Sequence, residues 1–473
     1  MIDIGKNGCT IKFLSLEIEN IGCIKSSKIS MEKESFSAHK IMGVYGQNGS
    51  GKSTLIRCLA FLRLLLCGNG INDVENYIRA GEDSAFLKAD FIIDTGISKK
   101  LFTYSVRIKK QAEQYHWAVE EEKIFVSDIN NLKNKLSFCY NSSDSANLIT
   151  PLSAKNSLYA FLDKHINVLQ GLAPNIFILL EKEKTRYYNS SYIFGSNLLI
   201  IYDAYCSENS ESVFDYVKIM NDYAKNYFFI ITDNFVNDGI VKEGKIPVVV
   251  PNQKVFSNGA INCFTINMNG PTQAVEQDEG DFGHFLNSLN KSLSALCPDT
   301  RIVAEKAMYA QSQVINQHQA VTNFYEVFTE KDGYRIPIKY ESMGIKKIIS
   351  LVNIMVFVYG NPSVFFVVDE MDTSINEIVL DTFIKLFSES GKGQILFTSN
   401  NLHPLDLLDK SECYFTTTNP TDRFTHIKYL KTNNSLLNVY KKFAEKGDEK
   451  NSDLFNPITK ENMKRYFDEC FRM

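Results

Sequence analysis

Nine consecutive residues, Gly46-Gln47-Asn48-Gly49-Ser50-Gly51-Lys52-Ser53-Thr54, fit the spacing G-x-x-x-x-G-K-[ST]. That spacing suits a polyphosphate. Glycines let successive backbone N–H groups point inward, and a helix N-terminus behind them adds positive potential. In such a cradle Gly46, Asn48, Gly49, Gly51 and Thr54 line the phosphates, and Lys52 reaches the β- and γ-phosphates. The Ser53 hydroxyl takes Mg²⁺. The implied cofactors are ATP and Mg²⁺. A glycine-rich turn that merely caps a helix is the plainer alternative. The flanks favour the phosphate loop, because residues 41–45 read as a short buried strand and 55–62 as a helix.

A second set of candidates lies far along the chain. Val364-Phe365-Phe366-Val367-Val368 is an apolar run ending in Asp369-Glu370, the Walker B pattern. Carboxylates at the C-terminal end of a parallel strand stand where ligands bind in such sheets. Asp369 would hold Mg²⁺, directly or through water. Glu370 would orient or deprotonate an attacking water. An apolar run ending in Asp-Glu is common by itself, and its weight here comes from the P-loop.

The elements that must position these residues alternate between helix and strand. Residues 11–31 read as a hairpin, and 85–94, 101–110 and 115–126 as three antiparallel strands. Residues 127–150, rich in Asn, Ser and Lys, read as a loop or an entry into an insertion. From 151 to 320 the periodicity is mainly helical (158–169, 196–202, 213–229, 282–296), with strand-like pieces at 246–250 and 261–268. A hairpin over 322–340, a helix over 343–359 and further strands at 394–398, 413–417 and 426–430 follow, with helices at 378–388 and 436–446. The expected fold class is α/β: a P-loop head with a doubly wound sheet, an antiparallel β subdomain and a mainly helical insertion. The expected units are 1–150, 151–320 and 321–473.

Composition narrows the function. The chain has 473 residues, 44% hydrophobic and 22% charged, as in an ordinary globular protein. A net charge of −4 gives no global basic signature for nucleic acid. Lys99, Lys100, Arg107, Lys109 and Lys110 form a dense basic cluster that reads as the solvent edge of a hairpin. Ten cysteines without C-x-x-C or zinc spacing read as reduced thiols. His403 and His426 stand isolated and read as surface or core histidines. The N-terminus reads as having no leader, and the most apolar stretch, 55–67, is broken by Arg57 and Arg63. The expectation is a cytoplasmic protein with no membrane partner.

Several of these stretches together resemble a known family. Glu341-Ser342-Met343-Gly344-Ile345-Lys346-Lys347 precedes a helix and the Walker B run. Asp369-Glu370-Met371-Asp372-Thr373-Ser374 and a strand ending Thr398-Ser399-Asn400-Asn401 come after. With the P-loop and Ser15-Leu16-Glu17-Ile18-Glu19-Asn20-Ile21, they resemble the ABC-type head of the SMC and OLD-like ATPases, over roughly 11–126 and 322–430. The resemblance implies that Ser342 and Gly344 form a signature motif touching the γ-phosphate of the opposite subunit. It implies that Asp372 lies on the loop crossing that interface. Asn400 stands where many relatives have a switch histidine, and an amide cannot shuttle a proton, which fits slow hydrolysis. Gln111 and Gln114 are the candidates for a Q-loop. Ser342 also suits a helix N-cap, and Lys346 and Lys347 read as solvated.

After the switch strand there is no Asp-x-Asp, so no TOPRIM nuclease centre is expected, and no His-Asn-His arrangement either. An ATPase of this kind resembles the ATPase subunits of two-component anti-phage systems, AriA of PARIS first and PtuA of Septu second. That implies a homo-oligomer built on head-to-head ATP sites and a separate effector, a TOPRIM nuclease or an HNH nuclease. It also implies a phage-derived trigger. A RecF- or Rad50-like DNA-maintenance ATPase is the alternative, with DNA as partner.

Overall fold

The computed structural model describes Ile4 and residues 9–71, 74–110, 117–130, 136–143, 149–150, 152–164, 173–208, 212–232, 245–249, 263–275, 279–315 and 318–427, with a few positions between 436 and 470. Gln111 and Gln114, most of 436–446 and residues 428–430 lie outside the described residues.

The chain opens with a hairpin, β1 (Thr10–Ile21) and β2 (Ile24–Ser30). A two-residue pair, β3 (Glu32–Lys33) and β4 (Ser37–Ala38), leads to β5 (Ile41–Tyr45). The P-loop and α1 (Lys52–Leu66) come next. Strands β6 (Ser84–Asp94), β7 (Lys99–Lys110), β8 (Trp117–Asp128), β9 (Leu136–Asn141) and β10 (Ile149–Thr150) follow. They form one antiparallel sheet in the order β10-β9-β8-β7-β6-β1-β2. Residues 127–150, expected as a loop, thus supply two of its strands. Short runs such as Leu136–Asn141 pair here because the β8 edge is open to them.

Helices α2 (Leu152–Lys164), α3 (Pro174–Tyr188), α4 (Ser196–Glu208) and α5 (Val213–Asn226) come next. The expected helix over 213–229 stops at Asn226, and Phe228–Ile231 is a strand, β11. Phe228 to Ile231 register one by one against Phe365 to Val368, parallel. Aromatic and β-branched residues suit such a buried strand.

Beyond it lie β12 (Lys245–Val249), β13 (Cys263–Asn267), β14 (Thr272–Val275), α6 (Glu279–Leu293) and a long hairpin, β15 (Arg301–Ile315) with β16 (His318–Lys331). The expected boundary at 320 falls inside β16. Among the described residues, 151–320 carries strands β11 to β15 beside its five helices. Its first part also belongs physically to the head: Asn221 donates to the Leu66 carbonyl at 2.7 Å, and Arg63 of α1 donates to the Phe228 carbonyl. Glu122 of β8, fully buried, accepts from Ser191 Oγ at 2.6 Å and the Tyr192 N–H at 2.7 Å. Those bonds fasten the turn before α4 to the antiparallel sheet.

The last part comprises β17 (Tyr334–Pro337), α7 (Met343–Gly360), β18 (Phe365–Val368), α8 (Glu377–Ser390), β19 (Gln394–Ser399), β20 (Cys413–Thr416) and β21 (Phe424–Thr425). The central sheet runs β11-β18-β19-β5-β20-β21, all parallel except β21. Helix α1, buried along most of its length, packs between this sheet and the antiparallel one.

Two cores meet on α7. Leu351, Ile354, Met355 and Val358 join the main core, whereas Ile349 and Val352 join a second one with Leu289, Leu293, Ile302 and Val327. By length and composition α7 could span a bilayer, but it is the core helix on which both lobes pack.

Candidate functional site

The site is assembled at the C-terminal ends of the parallel strands. β5 enters the P-loop and α1 leaves it, with Gly51 at φ 108° before the first helical residue, Lys52. Lys52 is only 6% exposed. Its ammonium donates to the Gly46 carbonyl at 2.6 Å and to the Gln47 carbonyl at 3.2 Å, so the loop curls around its own lysine. Asn48, Gly49 and Ser53 are exposed at the mouth. Gly46 is dictated by close approach: a Cβ there would sit 1.6 Å from Thr416 Oγ1. Thr416, from β20 on the other side, stands 2.6 Å from Ser50 Oγ and buttresses the loop. Cys23 Sγ, at the β1–β2 turn, lies 3.9 Å from Thr54 Oγ1.

Asp369 and Glu370 leave β18 towards the same end. One strand, β19, is interposed between β18 and β5, and it contributes the connecting group. Thr398 donates its hydroxyl proton to Asp369 Oδ1 at 2.5 Å and accepts from the Glu370 N–H at 2.7 Å. Glu370 sits at φ 45°, a left-handed conformation that costs about 1–2 kcal/mol for a non-glycine residue. The Thr398 bond to its N–H helps hold it there. Thr373 Oγ1 donates to Glu370 Oε2 at 3.1 Å. From α7, Lys347 donates to the Asp369 carbonyl at 3.1 Å.

Electrostatics tie the two sets together. Burial lowers the Lys52 ammonium below the ordinary lysine value, while Glu370, Asp369 and Asp372 each pull it back up. All three carboxylates therefore act on the P-loop lysine. Ser53 and Asp369 are hard oxygen donors suited to Mg²⁺, whose remaining ligands would be water and phosphate. Among the described residues no cluster of three or more His, Cys, Asp or Glu forms a self-sufficient metal cage. A cation shared between protein and polyphosphate fits this donor set.

The signature residues lie at the start of α7. Ser342 caps the helix, its Oγ accepting from the Ile345 N–H at 3.3 Å. Gly344 faces the loop after Walker B, where an added Cβ would meet the Ser374 carbonyl oxygen at 2.9 Å. Both the N-cap reading and exposure of Ser342 hold together. Asp372 spends its carboxylate within its own chain, accepting from Asn401 N at 2.9 Å and Asn400 N at 3.2 Å. That bond joins the loop after Walker B to the loop after β19 and leaves the Asn400 residue exposed.

One expectation is corrected. Lys346 and Lys347 are 8% and 3% exposed, not solvated. Their ammonium groups satisfy backbone carbonyls, of Lys339 at 2.7 Å and of Asp369. The positioning roles of Thr398, Thr416 and Lys347 were not visible in the sequence, since no spacing rule marks a residue that acts through a distant partner. The basic cluster matches its expectation: Lys99, Lys100 and Lys109 pair with Asp94, Asp128 and Glu120. His403 stands 3.2 Å from Asp381 at the surface, and His426 bonds the Cys413 carbonyl at 2.9 Å. Cys23, Cys58, Cys67, Cys139, Cys206, Cys297, Cys413 and Cys470 carry free thiols.

A family model described as AAA domain matches residues 15–227. The DNA replication and repair protein RecF of Chlorobaculum tepidum is 34% identical over 74 residues. That match covers 15% of this chain and 20% of RecF, so the chain spans about a fifth of that curated relative. Among solved structures, an Smc head domain with a coiled coil and joint from Pyrococcus yayanosii covers 91% of this chain and is itself wholly covered, at 12% identity and TM-score 0.41. The SMC head domain from Thermotoga maritima covers 88%, at 13% identity and TM-score 0.34. RecF with ATP covers 89%, at 11% identity and TM-score 0.37.

Proposed function

We propose that the chain is an ABC-type ATPase that binds Mg²⁺ and ATP and hydrolyses it slowly, with two copies pairing head to head. The observation that carries this reading is the convergence of a buried P-loop lysine with Asp369 and Glu370 at one end of a parallel sheet. Lys52 and the loop N–H groups would neutralise the phosphates. Ser53 and Asp369 would hold the metal, which supplies charge neutralisation at the transferred phosphoryl group. Glu370 would accept the proton of the attacking water. Asn400 would hydrogen-bond without accepting that proton, which favours a slow, switch-like cycle. Exposed Ser342 and half-buried Gly344, at a helix N-terminus, would complete the site of a second copy.

Glu370→Gln tests the assignment. The variant should keep ATP binding, lose hydrolysis and accumulate as an ATP-bound dimer in size-exclusion chromatography with light scattering. Wild-type turnover would sink the role given to Glu370. Ser342→Arg, mixed with wild-type subunits, should poison the neighbouring site; effects confined to the mutant's own site would contradict the shared geometry.

On the resemblance to defence ATPases we further propose a cytoplasmic scaffold that restrains a separate nuclease until a phage product releases it. Co-purification of a TOPRIM or HNH protein expressed with the chain tests that role, and its consistent absence would overturn it. A RecF-like DNA role is the second reading, favoured by the local identity to RecF. Duplex-DNA affinity falling steeply with salt would select it.

A further inference from the structure

The residue before the signature serine is tied to a strand of the second lobe. A single 3-10 turn, Ile338–Tyr340, joins β17 to α7, and Ile338 is buried in the second core. Glu341 follows and is half-buried. Its Oε2 accepts from the Ser342 N–H at 2.9 Å. Its Oε1 accepts from the Thr329 hydroxyl. Thr329 is 2% exposed and lies on β16, the strand with which β14, β15 and β17 all pair.

The N–H of an N-cap residue is one of the donors that a helix leaves for an anion. Under the function proposed above, the γ-phosphate of a second copy would come to this end of α7. Glu341 already takes one of those donors with a negative charge. The two groups that hold it, a hydroxyl and a backbone N–H, are neutral and leave that charge uncancelled. A carboxylate and a phosphate sharing one donor would lie within about 4–6 Å, where like charges disfavour each other. Glu341 therefore has to give way for the phosphate to close in. A second acceptor makes that possible. The one hydroxyl proton of Thr329 can go to Glu341 or to the Ile336 carbonyl, which lies 3.3 Å away. With Glu341 displaced, the buried hydroxyl still has a partner, and exposed Ser342 turns its N–H to water or phosphate. Neither arrangement leaves a buried polar group unpaired, the usual large penalty for such a rearrangement.

We infer that Glu341 is a positioning residue that latches the signature motif, and that β16 sets the latch through Thr329. The carboxylate keeps the place of the second copy's γ-phosphate and is displaced as two heads close. A shift of β16 that draws Thr329 away from Glu341 favours closure, and one that holds Thr329 against it keeps the heads apart. The sheet of β14 to β17 thereby regulates the signature motif without touching nucleotide. This inference rests on the head-to-head reading and adds the control of that site.

Sedimentation velocity with Mg²⁺ and ATP tests it, on the full chain in the Glu370→Gln background. Glu341→Gln keeps the size of the side chain and removes its charge. It should lower the concentration of half-pairing by roughly tenfold, the change expected on losing one like charge about 5 Å from a phosphate near a protein surface. Glu341→Ala should do at least as much. Thr329→Val, which loses only the donor, should lower it by about threefold. In the Glu341→Ala chain, Thr329→Val should add nothing, because both act through one contact. Affinity of the single chain for a fluorescent ATP analogue, measured below the pairing concentration, should stay unchanged, since it rests on the P-loop. A merely structural role for Glu341 predicts the reverse, weaker pairing with a lower melting temperature. Pairing unchanged or weakened in both Glu341 variants, while Glu370→Gln alone still pairs, would overturn the latch and leave the head-to-head reading standing. A gain from Thr329→Val that persists in the Glu341→Ala chain would overturn the part given to Thr329. No pairing in any variant, Glu370→Gln included, would overturn the head-to-head reading and the latch with it.

Discussion

Replacing Thr398 with Val removes one hydroxyl and nearly nothing else, since the two side chains share shape and branching. That hydroxyl stands between Asp369 Oδ1, at 2.5 Å, and the Glu370 N–H, at 2.7 Å. Losing a hydrogen bond to a carboxylate costs about 1.5–3 kcal/mol, and an N–H left without its acceptor costs about 1–3 kcal/mol. Glu370 is partly exposed, so the second cost belongs at the low end. The sum is about 2.5–4 kcal/mol, with no cavity contribution. Urea unfolding should register that loss without nucleotide. The chemistry should suffer as well: Asp369 and Glu370 lose the group that orients both, and partners of this kind typically change activity by about 10–100-fold. ATP binding, which rests on the P-loop, should change far less. Mg²⁺-ATPase rates and a fluorescent-nucleotide titration separate the two effects. Stability within about 0.5 kcal/mol of wild type, together with unchanged turnover, would refute the role of Thr398.

Gly46→Ala should abolish nucleotide binding, because its Cβ would lie 1.6 Å from Thr416 Oγ1; retained binding in a nucleotide titration would show that the loop yields. Lys52→Ala should remove ATP affinity altogether, and calorimetry showing wild-type affinity would end the P-loop assignment. Burial, the main cause, lowers the Lys52 ammonium below 10.5. The folded, nucleotide-free protein therefore holds fewer protons than the unfolded chain between the two values, and its stability should rise with pH across that window. ATP affinity should fall over the same window as the charge is lost. Stability titrations at rising pH up to 10.5 check this, and Lys52→Met should flatten the stability trend.

How much of this was legible beforehand divides along physical lines. The P-loop is local chemistry: glycine backbone, lysine and hydroxyl stand within nine residues, so spacing alone exposes them. The β18 strand was equally plain, because an apolar run on a fully buried parallel strand leaves no polar face to confuse the period. Ser342 was readable as a cap because capping acts within one turn.

The rest depended on partners far away in the chain. Phe228-Phe229-Ile230-Ile231 continues an apolar helix by pattern, and only the open edge of β18 makes it a strand. Lys346 and Lys347 look solvated by type, yet the Lys339 and Asp369 carbonyls stabilise their buried ammonium groups. Thr398 and Thr416 are ordinary strand residues until the sheet order sets β19 between β18 and β5, and β20 beside the P-loop. By itself the sequence determined which residues can hold a polyphosphate and a hard cation, because those requirements are met by neighbours along the backbone. Only the tertiary structure decided which hydroxyl and which lysine hold the carboxylates in place. Those contacts join strands and helices that no periodicity relates.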